Sequence, residues 1–104
     1  MTPLPRLPRF HVYLLLARED GIVYAGMTFN LRQRLRRHRA AGNRGFTAGR
    51  TWHLLAVKCF LDRDTALLFE RQLKRSRYDK SNWIRRTGRL RTLCERHGIQ
   101  SPHL

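Results

Sequence analysis

Acidic side chains are scarce in this chain of 104 residues. It has 7 Asp and Glu against 22 Lys and Arg, and its formal net charge is +15. A protein this basic favours a polyanion as partner, because docking on phosphates releases condensed counterions. Arg suits phosphate through its flat, forked set of donors. The charge therefore predicts a nucleic-acid partner and argues against an acidic partner or a small neutral substrate.

Cysteines are also few, and no long apolar run is present. Cys59 and Cys94 stand far apart without a CxxC motif, which argues against a disulfide framework or a zinc site and is typical of a reduced, cytoplasmic protein. No run approaches the roughly 20 apolar residues of a membrane span, so no membrane partner is expected. The first eight residues contain three Pro. We expect an extended arm over residues 1–9 in place of a secretory signal, and a frayed tail over residues 99–104.

The apolar segments predict a small sheet. The length suits one domain, and a hydrophobic share of 41% supports a modest core. Strands are predicted over Phe10–Leu16 and Ile22–Gly26, joined by an Asp-Gly turn that makes them an antiparallel hairpin. A third strand is predicted over His53–Phe60.

Capping residues and terminal glycines predict the helices. They run from Thr28 or Asn30 to Ala41, from about Thr65 to Arg77, from Ser81 to Arg86, and from Arg89 to His97. We therefore expect an α/β domain over residues 10–98, with a three-stranded, mainly antiparallel sheet flanked by helices. The glycine-rich segment 41–50 is predicted to be a loop, and both a contact with phosphates and a purely connecting role fit it.

Two helices carry polar residues close to the face that should be buried. At about 100° per residue, Arg34 and His38 lie beside the apolar stripe of Leu31 and Leu35. Arg34 could instead extend its stem along the core and place its charge in water. On the second helix, Glu70 lies near the apolar stripe, where a carboxylate is costly unless it is paired or binds a metal. A structural salt bridge explains Glu70 equally well.

The order of these residues resembles that of a known family. His11-Val12-Tyr13 and Tyr24-Ala25-Gly26 stand on the paired strands with ten residues between the tyrosines. They are similar to the Gly-Ile-Tyr and Tyr-Ile-Gly motifs of the GIY-YIG nucleases. The chain departs from the motifs at His11 and Ala25, which affects strand backbone and packing. The resemblance covers residues 10–84, and its further matching positions are Thr28, Leu31, Arg34, Leu35, His38, Thr47, Ala66, Glu70, Lys74, Lys80 and Asn82.

The resemblance, which is to short stand-alone members of bacterial type, implies a catalytic set. Glu70 would hold one divalent cation, Mg²⁺ or Mn²⁺, which prefers oxygen ligands. Arg34 would stabilise the pentacovalent phosphate. Tyr13, or alternatively Tyr24, would take the proton from the attacking water, and His38 would accept or orient the phenol proton. A free phenol has a pKa of about 10, and nearby positive charge is expected to lower the pKa and favour the phenolate.

A further group of residues is predicted to bind nucleic acid. Some are basic residues on outer faces, and others are positions implied by the resemblance: Arg36, Arg37, Arg44, Thr47, Arg50, Lys74, Lys80 and Asn82. Phe46 or Trp83 could stack on an unpaired base, although such residues more often serve in packing.

The sequence thus predicts a metal-dependent DNA endonuclease. The small size argues against a long duplex recognition site and favours single-stranded or branched DNA, in repair, recombination or DNA uptake. The alternative is a basic protein that coats DNA or RNA without cutting it. A protein partner that supplies targeting is compatible with both interpretations.

Overall fold

A computed structural model of the protein describes residues 9–39 and 49–99. Within these residues the elements follow the order β1 (Phe10–Ala17), β2 (Val23–Thr28), α1 (Leu31–Arg39), β3 (Trp52–Phe60), α2 (Arg63–Arg75), α3 (Arg77–Thr87) and α4 (Leu90–His97). The predicted arm, most of the predicted tail and the segment 40–48, with Arg44, Phe46 and Thr47, lie outside the described residues. No described helix is long and apolar enough to cross a membrane.

The three strands form one antiparallel sheet in the order β2-β1-β3. The Asp-Gly turn joins β1 and β2 as predicted, and Gly21 adopts a positive φ of 73° there. Because β1 is paired on both sides, its residues from Val12 to Ala17 are all buried. The predicted α/β fold with a three-stranded sheet is confirmed.

The two faces of the sheet pack against different elements. Val12, Leu14 and Leu16 of β1 belong to a core that includes residues of α2, α3 and α4. Tyr13 and Leu15 point to the opposite face, where the apolar residues of α1 and the start of β3 pack. The alternation along β1 therefore places one phenol under α1, away from the larger core.

Helix boundaries follow side-chain caps. Asn30 accepts a hydrogen bond from the backbone of Gln33 at 3.1 Å and begins α1, and Asp62 caps α2 in the same way. The predicted start of the third helix at Ser81 is wrong. Ser76 is its N-cap, accepting from the backbone N–H of Asp79 at 3.1 Å, so α3 begins one turn earlier and α2 ends at Arg75.

Candidate active site

Two tyrosines lie side by side on the face of the hairpin that α1 covers. Tyr13 of β1 is opposite Gly26 of β2, and Tyr24 of β2 is opposite Leu15 of β1. Opposite residues in an antiparallel pair project to the same face, so the two phenols are diagonal neighbours. Their ring centroids are 6.5 Å apart.

Gly26 allows the Tyr13 ring to cross β2. A Cβ atom at Gly26 would lie 2.5 Å from both Cζ and Oη of Tyr13, a distance that atoms of this size do not reach without displacement. The phenol therefore lies directly over the backbone of β2, which is one of the two edge strands of the described sheet. The hydroxyl of a central-strand tyrosine is thereby brought to the sheet edge.

Helix α1 adds an imidazole and a guanidinium above the phenols. His38 is buried, and its Nε2 lies 3.0 Å from the Tyr13 hydroxyl. The His38 ring also meets the Tyr24 ring edge to face, with centroids 5.5 Å apart. Arg34 lies one turn earlier on α1, and its positive charge acts on the Tyr13 phenol. The helical spacing of Arg34 and His38 thus places both over the hairpin.

Burial controls the protonation of this cluster. Desolvation is the largest influence on Tyr13 and raises its pKa, followed by the neighbouring Tyr24, while Arg34 acts in the opposite direction. Arg34 thus acts in the expected direction, toward the phenolate, but burial outweighs it and the Tyr13 pKa is raised. Burial also lowers the pKa of His38, as do the charges of Arg34 and Arg37. His38 is consequently neutral at neutral pH, and its Nε2 can accept the Tyr13 hydroxyl hydrogen.

Glu70 reaches the same cluster from α2. Its carboxylate is only 14% exposed and is paired with Lys74 one turn later, with Oε1 2.9 Å from Nζ. Its negative charge raises the pKa of Tyr13, so the carboxylate lies within electrostatic reach of the phenol. Tyr13, Tyr24, Arg34 and His38 thus lie together, and the charge of Glu70 acts on Tyr13 from α2.

An open groove of about 270 Å³ runs along β2 beside these residues. Tyr24 lines it together with Lys74 and Lys80, and Leu73 forms part of its floor. Two ammonium groups beside a phenol suit a chain of phosphates. The structure thus places two of the predicted nucleic-acid-binding residues next to the cluster.

The other predicted binding residues are dispersed. Arg36 and Arg37 are exposed on α1. Arg50 is bound to Asp20 in the hairpin turn, with Nε 2.8 Å from the carboxylate, an ion pair that the sequence did not indicate. Asn82, on α3, lines a separate cleft. Arg44 and Thr47 lie outside the described residues.

The sequence reasoning missed Trp52 as a neighbour of the site. Its side chain is 1% exposed, and its ring centroid is 6.1 Å from that of Tyr24. Trp52 pairs with Ala17 at the end of β1, and that register depends on how β3 docks. The sequence showed only an aromatic residue at the start of a strand. Such a residue is expected to be buried, but the sequence does not indicate which side chain it will contact.

One comparison with known proteins identifies a family. Residues 9–82 match the family model described as the GIY-YIG catalytic domain. No curated protein and no solved structure matches the chain significantly. The matched segment contains β1 through the first half of α3, and it includes all five residues of the cluster.

Proposed function

The chain belongs to the GIY-YIG nuclease family, and from this premise we propose that it is a metal-dependent endonuclease of single-stranded or branched DNA. Family membership makes it a hydrolase of phosphodiester bonds and favours the enzyme over the non-catalytic coating protein. The observation that supports the proposal is the convergence of Tyr13, Tyr24, Arg34, His38 and Glu70 beside a basic groove. Repair, recombination and DNA uptake are the processes that a small nuclease of this kind would serve.

The residues present are compatible with one hard divalent cation. Members of this family generally depend on a divalent metal ion. Among the described residues no group of three or more His, Cys, Asp or Glu side chains that could hold a metal ion is found. A single carboxylate completed by phosphate oxygens and water is an ordinary arrangement for Mg²⁺. Glu70 would hold the ion after Lys74 releases it, and the ion would supply charge neutralisation at the scissile phosphate.

A hydrogen-bonded path leads from the phenol to the imidazole. As the attacking water forms its bond to phosphorus, its proton would pass to the Tyr13 oxygen while the Tyr13 proton moves to Nε2 of His38. Because the proton moves on, Tyr13 need not exist as a stable phenolate, which burial disfavours. The bond from phosphorus to the leaving oxygen breaks in the same displacement, and Arg34 would stabilise the charge that develops on the phosphate.

Tyr24 is the alternative base. Tyr13 is fully buried, with an exposed fraction of 0%, whereas Tyr24 is partly exposed on the groove. Substitution of each tyrosine by Phe separates the roles. Substitution of the tyrosine that takes the proton should lower the cleavage rate at saturating DNA by about 10²- to 10⁴-fold. Substitution of the other tyrosine should mainly weaken the affinity for DNA.

The nuclease proposal is tested with purified protein and labelled DNA. Single-stranded, branched and duplex substrates of the same sequence would be incubated with Mg²⁺, Mn²⁺ or EDTA. We expect cleavage with either metal, fastest on single-stranded or branched DNA, and binding without cleavage in EDTA. Binding without cleavage under every metal would contradict the proposal.

A further inference from the structure

A second cleft lies between α2, α3 and β3. It is separate from the groove along β2 that Tyr24, Lys74 and Lys80 line, which is called the catalytic groove below. It is half enclosed, with a volume of about 210 Å³, and its aromatic wall is formed by Phe69 and Trp83. This volume is below the roughly 300–1,000 Å³ typical of sites for drug-sized ligands and suits a smaller planar group. Leu73 lines both this cleft and the catalytic groove, so the two are neighbours on either side of α2.

The wall of the cleft is aromatic and cationic. Phe69 and Trp83 meet edge to face, with centroids 5.2 Å apart, and both are only partly buried. The ammonium of Lys58 lies 5.0 Å from the Phe69 centroid. An indole that keeps part of its surface in a cleft offers a platform on which a flat π-system can stack.

The rim of the cleft offers hydrogen bonds. The Asn82 side chain makes no hydrogen bond within the described residues, although it lines the cleft. Gln72 and Asp79 hold each other through a hydrogen bond of 2.7 Å. An amide presents both a donor and an acceptor, which is the pattern that the edge of a nucleobase requires.

The cleft is lined by two cations, Lys58 and Arg86, and one carboxylate, Asp79, so positive charge predominates and favours a polyanion. Within the described residues, Lys58 and Arg86 form no ion pair with a carboxylate. Both line the cleft with the aromatic rings. Cations beside a stacking surface are the combination by which proteins bind single-stranded nucleic acid, because the backbone and the base are engaged together.

We propose that this base cleft binds one unpaired nucleobase of the DNA strand held in the catalytic groove. Trp83 stacks on the base, Asn82 bonds its edge, and Lys58 and Arg86 contact the adjoining phosphates. A base held in a duplex cannot enter, since its faces are stacked and its edge is paired. The cleft thus selects single-stranded DNA or the unpaired parts of branched DNA, and it rests on the proposed nuclease function for the identity of the polyanion.

The test measures binding in EDTA, so that cleavage does not interfere. Fluorescence anisotropy would compare Trp83→Leu with wild type on a labelled single strand and on the same strand in a duplex. Loss of a stacking contact of about 1–3 kcal/mol predicts a roughly 5- to 150-fold weaker single-strand affinity, with duplex affinity unchanged. Tyr78→Leu is the matched control: it removes an aromatic side chain of the same helix that is 73% exposed and should leave both affinities unchanged.

A second variant protects the test against misfolding. Trp83 packs against the core, so its removal could unfold the protein, whereas Asn82→Ala removes no hydrogen bond within the described residues. This variant should bind the normal single strand about 2- to 10-fold more weakly, as expected for one hydrogen bond, and an abasic strand as tightly as wild type does. If both folded variants bind like wild type, or lose single-strand and duplex affinity equally, the base cleft is wrong. If Trp83→Leu unfolds, the result for Asn82→Ala decides.

Cleavage assays keep the two proposals apart. Metal-dependent cleavage of DNA by wild type, with no effect of either substitution on single-strand affinity, would overturn the base cleft and leave the nuclease intact. Base-dependent binding by wild type, with no cleavage under any metal, would support the cleft and overturn the endonuclease.

Discussion

The Tyr13 ring occupies the position that a Cβ atom of residue 26 would take, so glycine is required there. In Gly26→Ala the new methyl would lie 2.5 Å from the Tyr13 hydroxyl, so the phenol must leave the position in which it meets His38. We expect at least a tenfold loss of cleavage rate and a destabilisation of about 1–3 kcal/mol from overpacking. Gly88→Ala is the control, since Gly88 has a φ of 65° and open space around it. It should lower the melting temperature and leave cleavage of the folded protein unchanged, whereas equal loss of activity in the two variants would contradict the assignment.

The pH profile reports on His38. Its pKa is lowered from 6.5 in the folded protein, so the neutral ring, which accepts from Tyr13, persists as the pH falls below that value. The cleavage rate at saturating DNA should therefore fall on acidification with a midpoint below 6.5. By linkage, the stability contributed by neutral His38 is complete above the unfolded pKa and is lost as pH falls through the folded pKa.

Arg37 provides the test of this profile. Arg37→Gln removes one of the charges that depress the His38 pKa and should move the acid midpoint toward 6.5. Arg36→Gln removes a neighbouring exposed charge that is not among the causes of the lowered His38 pKa, so it should leave the midpoint unchanged. The His38 titration followed by NMR gives the same comparison without DNA. An acid midpoint above 6.5 in wild type would contradict the account.

Order and spacing predicted which residues form the candidate site, but they did not predict the chemical state of those residues. The resemblance located Tyr13, Arg34 and Glu70 because each stands at a fixed distance from the next in the sequence. The rise in the Tyr13 pKa follows from complete burial, and the partner of Glu70 proved to be Lys74 on its own helix. The burial of Tyr13 depends on packing across elements, which spacing does not encode, whereas Glu70 and Lys74 have the i,i+4 spacing of an ion pair within one helix.

At the scale of elements, stacked imidazoles join α4 to the sheet, in addition to the apolar packing of Leu93 in the core. The rings of His53 on β3 and His97 on α4 lie 3.7 Å apart and nearly parallel. Burial lowers the pKa of His53, and so do His97, Arg39 and Arg18. Its contribution to stability is therefore present above pH 6.5 and is lost as pH falls through the lowered value.

Acid should therefore loosen α4. Hydrogen exchange of the α4 amides should accelerate relative to those of β1 as the pH falls below 6.5, since local opening depends on the stability of each element. His53→Phe, which keeps a ring but removes the titration, should abolish most of this acceleration. His11→Phe is the control and should retain it. An unchanged acid response in His53→Phe would show that the stack does not control α4.

Element boundaries were predictable where a cap was unambiguous. Asp62 and Gly98 delimit α2 and α4 within two residues of the predicted positions. The start of α3 was misplaced because Ser76 and Ser81 are both good N-caps. Burial of Ile84 and Leu73 against the sheet is compatible with the break at Ser76, and such packing is not visible in local propensity.

At the scale of the whole molecule, binding should depend steeply on salt. The chain has a net charge of +15. We expect the cations that line the groove, such as Lys80, to contact the DNA phosphates. Lys80→Gln should reduce the slope of log affinity against log salt by about 0.7 for a single strand, the value for one phosphate contact. Arg91→Gln is the control, because Arg91 is paired with Glu95 and lines neither cleft. Equal slopes for wild type and Lys80→Gln would remove Lys80 from the DNA path.

The most direct test of the site is the single-turnover cleavage rate of Glu70→Gln in Mg²⁺, beside its DNA affinity in EDTA. Glu95→Gln is the matched control, since each glutamate forms one ion pair with a basic residue four positions away on its helix. We predict that Glu70→Gln loses at least about a hundredfold in rate, as expected when charge stabilisation at the phosphate is removed. It should keep its affinity for DNA, and Glu95→Gln should keep both. Cleavage by Glu70→Gln at the wild-type rate would contradict the account.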